Sequence, residues 1–299
     1  MSMLKRFVGH TIAAAMVAAS TIAAAATPSV PVLRVTAPNG QPSILIGSLH
    51  VPVGGLNQPS PSIFAGARHY VIEHSGSSTL PADTASGSGA ERAWAKSLTD
   101  AEIKIYLRRA TCAGLTENMA RNWLQEPTPH MSNALAYTIC PLPRSATSRD
   151  VYLSNIAPAA LVQHPEVLED DDWVELQRRM VPASYDVSGF KWALAHDPKT
   201  VLERTRDALN AGDYDAIRTQ VLESLGSPEA AVVFTKHMVD ERNVAWLPRL
   251  DAILNDGHAV VVVGAMHFPG PSGLIALLRE RGYKVDPIDW PGMPISDTP

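Results

Sequence analysis

Cysteine, excess positive charge and long apolar runs are all scarce in this chain, and each scarcity removes a class of protein. Only two cysteines occur in 299 residues, Cys112 and Cys140, with no C-x-x-C pair and no nearby histidine to complete a thiolate metal or redox site. The pair reads most simply as one structural disulfide, and a catalytic or metal-binding pair is the weaker reading. Basic residues number 25 against 30 acidic ones, so there is no electrostatic footprint for nucleic acid or an anionic membrane surface. Beyond the first residues no apolar stretch approaches the roughly 20 residues that a membrane span needs. H-E-x-x-H, G-x-S-x-G, the phosphate-binding P-loop and G-x-G-x-x-G are also missing, which leaves the familiar zinc-peptidase, serine-hydrolase, kinase and dinucleotide readings without support.

The chain opens with Lys5 and Arg6, an alanine-rich apolar run from Phe7 to Ala23, and an A-x-A arrangement at Ala24 and Ala26 before Thr27. This is the pattern of a secretory leader cleaved after Ala26. The run is too short and alanine-rich for a span, and no cysteine follows it to carry a lipid anchor. Residues 1–26 are therefore read as a signal peptide and the protein as periplasmic or secreted, where a disulfide persists. Loss of the two basic leader residues takes the formal charge from −5 to −7.

Strand signals gather at both ends of the remaining chain: Val32 to Val35, Ser43 to Gly47 and His69 to Glu73 early, His258 to Gly264 and Tyr283 to Ile288 late. The continuous runs ILI and VVVV fit strands covered on both faces by helices. Helix signals fill the middle. Thr99 and Glu102 make a capping box, Asp172 to Met180 and Pro198 to Asn210 have helical patterns, and Ser227-Pro228 is an N-cap followed by proline at the first helical position. The Ser- and Gly-rich stretch from Gly76 to Gly89 and the segment Pro141 to Ser148 read as loops, and Pro291 to Pro299 as a frayed end. The expected architecture is α/β (α+β): one domain, residues 27–299, whose N- and C-terminal segments build a mixed sheet flanked by helices, with a helical insertion at about 91–226.

The sequence echoes itself once. Gly47-Ser-Leu-His50-Val-Pro52 and Gly264-Ala-Met-His267-Phe-Pro269 are both G-x-x-H-x-P, and both follow an apolar strand. The chain's own glycine, histidine and proline frequencies predict only about 0.05 chance copies. Each histidine would sit on a loop at the carboxyl edge of a strand, the edge where ligands gather in open sheets. If the strands are neighbours, the imidazoles converge as ligands of one divalent ion or as an acid/base pair. Glu73 leaves a third strand and must reach solvent or a partner, because isolated burial of its charge is costly. Metal coordination, general-base work or an ion pair with a residue such as Arg242 would each satisfy it. His74 is expected on the opposite face by strand alternation.

Arg242, in Glu241-Arg242-Asn243 on a late helix, is the expected oxyanion or carboxylate clamp, since its planar fork binds such groups bidentately. Pro248 is expected to kink or end that helix. Pro271 to Gly282 reads as a short amphipathic helix whose N-terminus would offer amides beside His267.

GSLHVP, VIE, ERN and the block Ala259 to Val285 resemble the TraB/GumN family, which includes the Tiki proteins; the two ends of the chain carry the resemblance and the middle matches loosely. The resemblance implies a metal-dependent hydrolase acting on peptide or protein substrates, built on a mixed sheet of two related halves. It assigns His50, His267 and Glu73 to a divalent ion (Zn, Mn or Co) and catalysis, with Arg242 and Asn243 in support. Two positions depart from the family pattern: Ser75 stands where an acidic residue is frequent, and Met266 where a small residue precedes the second histidine. The rival expectation is a non-catalytic periplasmic binding protein for haem, a metal or a glycan, serving envelope or exopolysaccharide functions.

Overall fold

A computed structural model describes residues 28–76, 94–126, 129–141 and 146–293. The expected leader, most of the Ser- and Gly-rich loop, part of the Pro141 to Ser148 segment and most of the C-terminal tail lie outside these residues.

Six strands form one mixed sheet: β1 (Ser29–Thr36), β2 (Pro42–Ser48), β3 (His69–Ile72), β4 (Glu166–Val167), β5 (Ala259–Gly264) and β6 (Lys284–Pro291), in the spatial order β4-β3-β5-β2-β1-β6. β1 is antiparallel to both β2 and β6, whereas β2, β5, β3 and β4 run parallel. The N- and C-terminal segments thus build the sheet, as the strand signals at both ends of the chain predict. β4 is the exception, a two-residue edge strand from the helical middle, too short to leave a pattern in the sequence.

β5 is buried at every position, as the VVVV run requires. Its side chains divide by the pleat. Val261 and Val263 join a core with Trp246, Leu247 and Leu250 of the helix Glu241–Asp256, while Val260 and Val262 face Phe64, Tyr70 and Leu153 on the other side. Leu202, Leu209 and Ile217, from the helices Pro198–Ala211 and Tyr214–Ser224, belong to the first of these cores. A third apolar cluster, built from Tyr106, Leu124, Leu135 and Phe190, lies within the middle helices. Cys112 and Cys140 are disulfide-bonded there with Cα atoms 5.9 Å apart, as expected of an even pair.

Local signals in the middle hold. Thr99 and Glu102 form the capping box of the helix Asp100–Cys112, and Ser227 caps Pro228–Thr235. Two expectations are adjusted. Pro248 lies inside the helix Glu241–Asp256, so of the two outcomes expected of it, a kink or an end, the end does not occur. The carbonyl that its ring would deprive of a partner belongs to Val244, which is 55% exposed, so water can satisfy it. The last helix starts at Leu274 and has seven residues, and the Ile275 amide is used by the Phe268 carbonyl at 3.3 Å. The helix therefore begins three residues later than expected, with one of its first amides already in use. Among the described residues, no helix is long and apolar enough to cross a membrane.

Candidate functional site

The topology decides where the two G-x-x-H segments meet. β2 and β5 are parallel neighbours with Gly47 opposite Val263 and Ser48 opposite Gly264, so both histidine loops leave the same edge of the sheet. β3 lies on the other side of β5 in the same direction and delivers Glu73 there.

Both motif glycines serve close approach, since neither has a positive φ. A Cβ on Gly47 would stand 3.0 Å from Ala265 Cβ and 3.1 to 3.2 Å from the rings of Tyr214 and Phe268, so the first loop packs against the turn of the second. A Cβ on Gly264 would meet His50 Nε2 at 3.2 Å, Glu73 Oε1 at 3.3 Å and His267 Cδ2 at 3.5 Å. The two imidazoles and the carboxylate thus surround the space left by one missing side chain.

Each of the three is held from behind. Asn243 donates its Nδ2 hydrogens to the carbonyls of His267 (3.1 Å) and Ser272 (2.8 Å), which leaves its Oδ1 as acceptor, 2.7 Å from His267 Nδ1. His267 must then carry its proton on Nδ1 and present a lone pair on Nε2. Burial pushes its pKa well below the ordinary value against the pull of Glu73, so the ring is neutral. It packs against Trp246, ring centres 4.5 Å apart.

His50 differs, with 62% of its side chain exposed. Its Nδ1 lies 3.0 Å from Asp150 Oδ2, and that hydrogen bond raises its pKa, outweighing the opposing effect of desolvation. Nε2 faces Glu73 at 3.9 Å.

Glu73 is buried, its Oε1 accepting from the Gly264 amide at 2.6 Å and its Oε2 from Arg242 at 2.7 Å. Burial alone would raise its pKa, but His267, Arg242, His50 and the Gly264 amide outweigh it and hold the carboxyl well below the usual range. With His267 neutral, Arg242, His50 and the Gly264 amide carry that effect.

Arg242 and Asn243 are adjacent on one helix yet both buried, because they serve different strands: Arg242 reaches Glu73 and Asn243 reaches His267. Of the two readings of Arg242, an oxyanion clamp or a carboxylate clamp, its contacts are those of the second, and they include the ion pair with Glu73. Its Nε and Nη2 donate to Glu169, Nη2 also to Glu73, and Nη1 to the Met238 carbonyl. The fork binds two carboxylates of the protein itself. A π-helical turn, Lys236–Asp240, immediately precedes it.

His74 is also placed differently from expectation. The strand ends at Ile72, so alternation no longer applies, and His74 Nδ1 lies 2.9 Å from Asp171. Ser75, where the family often has an acid, donates its hydroxyl to the same Asp171. Glu73, His74 and Glu169 have donor atoms all within 4.8 Å of one another, the one such group among the described residues, and could hold a metal ion. Arg242 already neutralises both of its carboxylates, however, and a second cation there would face the guanidinium. The donors around Gly264 fit a divalent ion better in kind: an Nε2 lone pair on His267, an ionised oxygen of Glu73, and His50 once it releases a proton. Orienting partners stand behind both histidines, the arrangement usual for metal-ligating imidazoles.

Asp150, Glu169 and Arg149 escaped the sequence reading. Arg149 is fully buried and donates to the carbonyls of Gly47 (2.7 Å) and Asn57 (2.8 Å), anchoring the helix Arg149–Ile156 so that Asp150 meets His50. Glu169 arrives because the chain leaving β4 stays beside Glu73, with the Glu169 amide donating to the Glu73 carbonyl at 3.1 Å. Neither acid has a local signal; each lies about a hundred residues from its partner or is carried by a strand too short to read.

Parallel strands that deliver two histidines and a buried, charge-paired carboxylate to one sheet edge define a protein with a polar centre on an α/β scaffold. The chain belongs to the TraB/PrgY/gumN family, whose match covers residues 31–287. No curated protein and no solved structure matches the chain beyond that family assignment.

Proposed function

We propose that this protein is a metal-dependent hydrolase of the extracytoplasmic space that acts on peptide bonds. One observation carries the reading: His50, Glu73 and His267, from three neighbouring parallel strands, surround the space that Gly264 leaves open. A divalent ion such as Zn, Mn or Co, held by these three residues, would supply Lewis acidity and lower the pKa of a water. The chain's own groups prepare that site. Asn243 keeps the His267 Nε2 lone pair free, Asp150 orients His50, and Arg242 keeps Glu73 ionised and pointed at Gly264. The leader-like residues 1–26 and the Cys112–Cys140 disulfide support an oxidising compartment.

A second reading, a non-catalytic binding protein for a metal, haem or glycan, is favoured by one feature: both oxygens of Glu73 already have hydrogen-bond donors. Elemental analysis of the purified protein, paired with cleavage of a peptide library, separates the two. The hydrolase reading expects stoichiometric metal and cleavage, both lost in His267→Ala and in His50→Ala. Metal retained by the wild type without any cleavage supports the binder, and neither metal nor cleavage overturns the hydrolase and leaves of the second reading only a metal-free ligand.

A further inference from the structure

The centre around Gly264 forms one end of a cavity of about 240 Å³ whose remaining walls are apolar. Leu209, Ile217, Val221, Phe234, Met238 and Val239 supply them, from the helices Pro198–Ala211, Tyr214–Ser224 and Pro228–Thr235 and the π-helical turn after it. Thr205 is the one hydroxyl away from the centre, and its single proton is in use: Oγ1 lies 3.1 Å from the Val201 carbonyl and 3.0 Å from Gln220 Oε1. A polar group entering this space finds no donor there, whereas an apolar one exchanges water for dense contacts. The space is not closed at its far end. Leu49, Val221, Phe234 and Met238 are shared with a second cavity of about 390 Å³, which continues past Tyr137 and Tyr185 to Asp186 and Arg178.

We propose that the apolar cavity is the specificity pocket of the site and takes a bulky apolar side chain, of the size of leucine, methionine or phenylalanine, beside the peptide bond to be cut. The proposal rests on the hydrolase reading for the bond, but the pocket itself stands on the cavity's walls and its continuity with His50, Glu73, Gly264 and His267. Phe234 and Met238, at the junction of the two cavities, set how long a side chain is accepted. Val221 sets how broad.

Two measurements on the full mature chain separate failure of the pocket from failure of the chemistry. In the first, peptides differing only at the residue flanking the cleaved bond are compared. The wild type should prefer leucine or phenylalanine over glycine or aspartate by about 10- to 100-fold in kcat/KM. Val221→Phe should move the preference toward alanine, and Phe234→Ala toward tryptophan. Cleavage indifferent to the flanking residue overturns the pocket and leaves the hydrolase intact. In the second, calorimetry follows binding of two uncleavable reduced-amide tetrapeptides, one with leucine and one with glycine at that position. Leucine should bind at least about tenfold more tightly, and Val221→Phe should abolish the difference while retaining the wild-type circular dichroism. Equal binding of the two peptides to the wild type overturns the proposal even if no peptide is ever cut.

Discussion

Asn243 Oδ1 stands 2.7 Å from His267 Nδ1, and because both Asn243 amide hydrogens go to main-chain carbonyls the contact has only one polarity. One buried amide thus decides which nitrogen of a histidine on another element is free to act. Asn243→Ala should leave the fold in place but release the tautomer, lowering metal affinity and any metal-dependent turnover by about 10- to 100-fold. Nitrogen NMR of labelled His267 checks the cause directly: Nδ1 protonated in the wild type, a mixture of tautomers in the variant. A single unchanged tautomer in the variant would remove the argument.

Arg242 lies between two buried carboxylates, Glu73 and Glu169. Arg242→Met leaves two buried carboxylates without their cation, and should cost about 3–5 kcal/mol of stability. Pairing it with Glu169→Gln should recover part of that loss. Urea unfolding of the two variants measures the difference, and additive losses would show that the three groups do not act as a unit.

The two motif glycines should respond differently to alanine. At Gly47 the new methyl meets Ala265, Tyr214 and Phe268, all buried, so overpacking should destabilise the protein by about 1–3 kcal/mol. At Gly264 it meets the three site groups, of which His50 has its side chain 62% exposed and so has solvent beside it. Thermal unfolding of Gly264→Ala should therefore change little, while displacement of those groups should reduce activity by about 100-fold.

Asp186 lines the second cavity, and burial pushes its carboxyl up to about 6 despite Arg178. The folded state then holds this proton more tightly than the unfolded chain does. Its contribution to stability is complete below the ordinary carboxylate pKa of 3.8 and is lost as pH rises through about 6. Asp186→Asn should flatten that part of the stability profile and leave the variant more stable than the wild type at pH above about 6. Melting temperatures across this range test it, and parallel profiles would contradict the assignment.

Cys112 and Cys140 close a loop of 28 residues within the middle helices. Replacing both with serine should lower stability by about 3 kcal/mol through the freed unfolded chain. Denaturant titration of the double variant, with the wild type under oxidising and reducing conditions, measures it.

What the sequence determined alone was whatever depends on neighbours in the chain. The apolar runs of β2 and β5, the capping box at Thr99 and the duplicated G-x-x-H-x-P are local patterns. They sufficed for the fold class and for the suspicion that His50 and His267 share a site. Tertiary structure alone decided the partners. That Arg242 serves Glu73 and Glu169, that Asp150 stands behind His50, and that the chain after β4 brings Glu169 to the site follow from strand order and from contacts between residues 73 to 169 positions apart. The same is true of Pro248, which the helix Glu241–Asp256 accommodates in its interior. A local pattern states what a residue can do. Which of its possible partners it meets is set by packing, and packing is a property of the whole chain.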